Sequence, residues 1–185
     1  MIFNNVNIEN RYWFKTMMHT KKLFLTLILS IALTGCGFYS FSGISLPPET
    51  RTFQVNYFQN NAPLIEPGLE RDFKIALEDV IQNQTNLDLV TTNGDIIYEG
   101  EIVEYRISPT TATAQNTAAQ NRLTIAVKVH FYDKNDPDSE FDQRFSFFYD
   151  FPGSAQLVGS QKDTAHEEIF ERLTQDIINA SLAKW

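Results

Sequence analysis

Downstream of residue 50 the chain reads as alternating apolar and polar positions, interrupted twice by a longer period. TFQVNYF (52–58) sets Phe53, Val55 and Tyr57 on one face and Thr52, Gln54 and Asn56 on the other, as in a half-buried strand. QNNAP (59–63) breaks it. Glu66-Pro67-Gly68 then opens a helix, since proline at a helix start has no needed N–H to lose. Leu69, Phe73, Ala76, Leu77, Val80 and Ile81 recur at helical spacing to about Gln84, with Glu70, Arg71, Lys74, Glu78 and Asp79 elsewhere on the surface. LDLV (87–90) is a short strand and Thr92-Asn93-Gly94-Asp95 a turn. IIYEGEIVEYRI (96–107) is a strand running until Pro109, and Gly100 in its middle marks a bulge or a close backbone approach.

TTATAQNTAAQN (110–121) is uncharged, polar and of low complexity, and predicts a long loop. RLTIAVKVHFY (122–132) is the cleanest strand in the chain: Leu123, Ile125, Val127, Val129 and Phe131 face one way and Arg122, Thr124, Lys128 and His130 the other. After a turn at 133–139, FDQRFSFFYDF (141–151) alternates Phe141, Phe145, Phe147, Tyr149 and Phe151 with polar residues. Beyond Pro152-Gly153, a final helix carries Ile169, Phe170, Leu173, Ile177, Ile178 and Leu182 and runs to near Trp185. The order β-α-β-β-β-β-α, with neighbouring hairpins, predicts an α+β fold. Two helices pack on one face of a mainly antiparallel (mixed) sheet of about four strands, which buries both apolar stripes.

The N-terminal pattern is different. His19, Lys21 and Lys22 precede an apolar run from Leu23 to Leu33, too short for a spanning helix of about 20 residues. This is the plan of a secretory signal, and Leu33-Thr34-Gly35-Cys36 resembles a bacterial lipobox. That resemblance implies a diacylglyceryl group on the sulfur of Cys36, cleavage before it and acylation of the new amino group. Two or more chains anchor a protein stably, at about 0.8 kcal/mol per buried methylene. The expected organisation is a spurious extension over 1–16, a signal peptide over 17–35, a lipidated tether over 36–50 and a single domain over 51–185. Cys36 is the only cysteine, so the fold is held without a disulfide.

Leader and signal hold four of the 15 basic residues (Arg11, Lys15, Lys21, Lys22) and one of the 23 acidic ones (Glu9), which leaves 11 against 22, a net of −11. That balance argues against nucleic-acid binding, which needs Lys and Arg to neutralise phosphates. No nucleophile motif, phosphate loop, metal-ligand spacing or cofactor motif is present, and the expectation is a non-enzyme without cofactors or metal. His130 and His166 read as solvated histidines. Glu99, Glu101 and Glu104 read as polar-face residues before an acid/base pair. Arg106, Arg122, Lys128 and Arg144 are cations on adjacent hairpin strands of an acidic protein. They meet either external anions such as phosphates or their neighbours Glu104 and Asp142 across the sheet. Asp163-Thr164-Ala165 resembles an O-glycosylation site of exported Bacteroidetes proteins, with Thr164 as acceptor.

The lipobox, CGFYSFSG, the strand–helix opening, DIIYEGEIVEY, NRLTIAVKVHF, FDQRFSFFYDF and the closing QDIINASLAKW together resemble the LptE family of lipopolysaccharide-assembly lipoproteins, in its Bacteroidetes form, across 36–185. The resemblance implies two helices on a four-stranded sheet and a partner, an LptD-type β-barrel, whose lumen the protein plugs while the pair delivers lipopolysaccharide to the cell surface. It places Cys36 on the lipidated cysteine. Arg106, Arg122 and Lys128 are lipopolysaccharide-contact candidates on the residue reading alone. Gly37 is not the aspartate that retains enterobacterial lipoproteins at the inner membrane, and no acidic run follows Cys36. Both point to the periplasmic face of the outer membrane. The other readings are a stand-alone lipid-anchored periplasmic small-ligand-binding protein, which needs a concave apolar pocket, and an anchored hydrolase.

Overall fold

The computed structural model describes residues 46–112 and 118–183. Cys36, the signal and the centre of the 110–121 stretch lie outside them, and the described residues fall in the unit Ser42–Trp185. The chain order is β1 (Thr52–Asn60), α1 (Leu69–Gln84), β2 (Asp88–Leu89), β3 (Ile96–Ala112), β4 (Ala118–Asp133), a 3-10 turn (Pro137–Ser139), β5 (Phe141–Pro152) and α2 (Ser160–Ser181). The sheet has five strands in the order β2-β1-β3-β4-β5. β1 runs parallel to both β2 and β3, while β3-β4-β5 is an antiparallel meander. The expected class and element order are therefore present. The strand count is five because β2, only two residues long, adds a parallel edge to β1 after the α1 crossover.

The two helices lie on one face. Leu69, Phe73, Leu77 and Ile81 of α1, and Ile169, Phe170, Leu173, Ile177 and Ile178 of α2, are buried against Phe53, Tyr98, Ile102, Leu123, Ile125, Val127, Val129 and Phe131 of the sheet. Phe73 is the junction: its ring meets Phe58 edge-on at 5.1 Å and Phe170 at 5.5 Å, so one side chain joins β1, α1 and α2. Tyr98 is wholly buried, and its hydroxyl meets Ser181 Oγ at 2.8 Å, while Ser181 donates to Ile177 O. The polar end of this core residue is thereby satisfied, and burial raises the Tyr98 pKa so that it stays neutral.

β1 departs from the simple alternation. Phe53 and Val55 are buried as expected, but Tyr57 is 64% exposed and Phe58 is wholly buried. The cause is a bulge: Val55 pairs with Tyr98 and Phe58 with Gly100, so one extra β1 residue is accommodated and the phase reverses. Gly100 makes this possible. A Cβ there would stand 2.0 Å from the Lys128 carbonyl oxygen and 3.1 Å from Phe58 Cε1. The close approach anticipated at Gly100 is thus present.

The stretch 110–121 differs from its sequence reading. β3 continues past Pro109 to Ala112 and β4 begins at Ala118, with Thr111 opposite Gln120 and Ala112 opposite Ala118. Most of the expected loop is hairpin. Pro109 is tolerated because β1 ends at Asn60, opposite Ile102, so no described residue pairs with β3 on its side beyond that point except through Asn61, and a register shift follows at Pro109/Thr111. At the opposite end, the last residues of the expected tether are folded. Leu46 packs partly on the core, Thr50 is buried, and Thr50 N–H donates to Pro47 O at 3.0 Å. Asp95 fastens the start of β1, its Oδ2 accepting from Arg51 N–H, Thr52 N–H and Thr52 Oγ1 at 2.9–3.0 Å. The Arg51 N–H is the leading reason that its carboxyl titrates below the usual range.

Candidate functional site

The sheet face opposite the helices is an exposed lattice of charges. Register fixes it. Ser108, Arg122 and Asp150 form one row, Glu101, Lys128 and Arg144 another, and Glu104, Ala126 and Ser146 a third. Arg122 grips Asp150 with two bonds of 2.7 and 2.8 Å, and its guanidinium lies 3.5 Å over the Phe148 ring. Asp150 consequently titrates below the ordinary carboxylate range and Arg122 above its own. Lys128 Nζ sits 2.9 Å from Asp142, which also meets His130 Nε2 at 3.2 Å. Glu104 holds Arg106 at 2.8 Å on one oxygen and Arg144, from two strands away, on the other. Ala126, opposite Glu104 and fully buried, is the small residue beneath that span.

The structure thus brings Arg106, Arg122, Lys128 and Arg144 to one face, as strand parity requires, each already engaged by a carboxylate. Glu99 and Glu101 accept from Asn56 (3.0 Å) and Asn61 (2.5 Å) and so tie β3 to β1 and the segment after it. Thr164 is exposed on α2, next to the buried Ala165. Among the described residues no group of three His, Cys, Asp or Glu side chains is placed to hold a metal ion, and no helix is long and apolar enough to cross a membrane.

His166 is not the solvated residue its acidic neighbours suggest. It is half-buried, stacked on Phe170 with ring centroids 5.8 Å apart, and Nε2 meets the Tyr105 hydroxyl at 3.2 Å. Burial pushes the Tyr105 hydroxyl up to about 12. Loss of hydration holds His166 below the ordinary imidazole pKa, against the opposing pull of Glu66, Asp163 and Asp72 and with Lys162 assisting. Glu66 itself binds Lys162 at 2.6 Å, latching the 61–67 segment to α2. A histidine with a depressed folded pKa takes up more protons unfolded than folded. Its contribution is therefore complete above the unfolded pKa of about 6.5 and falls as pH drops below it. Thermal melts from pH 7.5 to 5.5 should show a falling midpoint, and His166→Gln should flatten that fall. An unchanged slope in the variant would contradict the assignment.

Beside His166, between the 61–64 segment and β3, lies a groove of about 560 Å³ open to solvent. It is lined by Pro63, Leu64, Val103, Glu104, Tyr105, Arg106 and Ile107, of which Leu64 and Ile107 are exposed. Nothing in the sequence pattern announced it, because it exists only where β1 stops short of β3.

Two solved structures share this fold at very low identity. The hypothetical protein CT253 from Chlamydia trachomatis aligns at a TM-score of 0.51 and 10% identity over 73% of this chain and 99% of its own. Protein XCC0632 from Xanthomonas campestris aligns at 0.50 and 9% over 75% and 90%. The rare lipoprotein B from Shewanella oneidensis aligns more loosely, at 0.46 and 8% over 69% and 89%. No curated protein sequence matches the chain significantly. A family model described as LptE, lipopolysaccharide-assembly, matches residues 50–181, from the buried Thr50 at the foot of β1 to the Ser181 that closes α2. With the sheet, both helices and their junction all inside that match, the chain belongs to the LptE family of lipopolysaccharide-assembly proteins.

Proposed function

We propose that this protein is the lipid-anchored plug and assembly subunit of the outer-membrane lipopolysaccharide translocon, held by Cys36 at the periplasmic face and acting with an LptD-type β-barrel to deliver lipopolysaccharide to the cell surface. The observation that carries the reading is the family match across the whole folded domain. The sheet face supports it. Its cations are each met by a carboxylate, giving a wet, hydrogen-bonding surface, which suits the polar interior of an outer-membrane barrel. The role is structural and non-enzymatic: the protein orders a partner and touches a passing amphiphile.

Arg106, Arg122 and Lys128 are the proposed contacts for lipopolysaccharide phosphates. Each holds a carboxylate on an exposed face, where ion pairs exchange readily. Depletion of the protein should lower surface-exposed lipopolysaccharide, read by antibody labelling of intact cells, while total lipopolysaccharide is maintained. Undiminished surface labelling would sink the reading. Cys36→Ala should remove the acyl mass seen by intact mass spectrometry. An acyl mass that persists in the variant would show a lipid attached elsewhere.

A further inference from the structure

The place where β1 ends leaves β3, among the described residues, with a vacant lane. Ile102 O accepts from Asn61 N–H at 2.9 Å, the last rung on that side, so Ile102 turns its main-chain groups toward β1. Ile102 pairs with Val127 of β4, and Tyr105, Ile107 and Pro109 pair with Ile125, Leu123 and Asn121. These β4 residues are each two apart and share one orientation, so their β3 partners share one also. Tyr105 and Ile107 therefore direct N–H and C=O away from β4, into the lane, and Pro109, with no N–H, closes its far end. The groove lies along this lane, with Pro63, Leu64, Val103, Tyr105 and Ile107 as its apolar lining and Glu104 and Arg106 as its charged one. On the sheet face opposite the helices stands Arg106, which with Arg144 shares the one carboxylate of Glu104, two cations to one anion in that cluster.

We propose that this lane is a docking site for an extended strand of a partner polypeptide, paired to the main chain of Tyr105 and Ile107, apolar at the positions facing the groove and acidic beside Arg106. Backbone groups specify the strand and the side chains specify its pattern. A second copy of this chain fits poorly. Two-fold antiparallel pairing centred on residue 106 sets Arg106 directly against its copy, and centring on Ile107 sets Tyr105 against the donor-less Pro109. Centring on Tyr105 would match Glu104 with Arg106, but it brings residue 107 of the copy beside Val103, at the mouth of the lane where Asn61 is already bonded to Ile102 O. The outer edge, β5, is the rival surface, but Asp142, Arg144 and Asp150 stand along it as charges that guard an edge strand. The inference is independent of the translocon reading.

The probe is an eight-residue peptide of alternating valine and threonine with one central glutamate, titrated into the isotope-labelled full chain in detergent micelles and followed by amide NMR shifts. The expected result is saturable shifts centred on Tyr105 and Ile107, about fivefold weaker when the glutamate is replaced by lysine. Binding is lost in Ile107→Pro, which removes the lane-facing donor together with the Ile107 side chain, and in a peptide N-methylated at its centre, which needs no protein variant and leaves every side chain in place. Shifts that ignore N-methylation, shifts confined to β5, or none at millimolar peptide would overturn the proposal. Concentration-dependent self-association through the same amides without peptide would overturn it in favour of a second copy.

Discussion

Gly100→Ala is expected to lower folding stability by about 3 kcal/mol, the upper range for forcing atoms into a packed interior. The added methyl would lie 2.0 Å from the Lys128 carbonyl oxygen, a backbone atom in the adjoining strand. Backbone cannot swing aside as a side chain can, so the β3–β4 ladder must part or the strand must shift. The same methyl would press on Phe58, 3.1 Å away, and so on the bulge that turns Phe58 inward and Tyr57 outward. Urea denaturation should show a lowered midpoint with an unchanged slope. A variant within about 0.5 kcal/mol of wild type would mean that the two strands do not approach as described.

Phe73→Ala should cost about 3–5 kcal/mol, the range for deleting a buried aromatic ring and leaving its cavity. Phe73 is wholly buried, and its two edge-on contacts, to Phe58 and Phe170, connect the bulged strand with both helices. Its loss should loosen α1 and α2 together, so helix amides across both elements should lose exchange protection in parallel. Phe73→Leu, which keeps most of the apolar volume, should recover the larger part of the loss. Loosening of α1 alone would contradict the junction role. Either of these variants, produced in cells, should fall in abundance before any specific functional effect is seen.

How far the fold was legible follows from what kind of signal each element carries. The α1 and α2 stripes and the β4 alternation were readable because burial on one side writes a period directly into the sequence. Phe58 was not, since a bulge reverses the period partway along β1 and only Gly100, on another strand, hinted at it. The 110–121 stretch holds no apolar residue larger than alanine, yet its flanks pair, because a hairpin continuing from two long strands needs backbone bonds more than a buried face. The charged face was half legible: strand parity put Arg106, Arg122, Lys128 and Arg144 together, but only register assigns Arg122 to Asp150 and stretches Arg144 across Ala126 to Glu104. His166 was misread because its neighbours in sequence are acidic, whereas its neighbours in space are Tyr105 and Phe170. The groove and its vacant lane depend on a difference in strand lengths, which no local pattern records.

The central claim is a partnership, and it is tested by recovering the partner. The full-length protein with a C-terminal tag, and Cys36→Ala beside it, would be drawn from outer membranes in mild detergent and the bound proteins quantified by mass spectrometry. The account predicts that the wild type brings down one LptD-type barrel in near-equal amount and that Cys36→Ala brings down much less. A wild-type protein that is lipidated, membrane-bound and alone would contradict it, and would leave a solitary ligand binder as the better description.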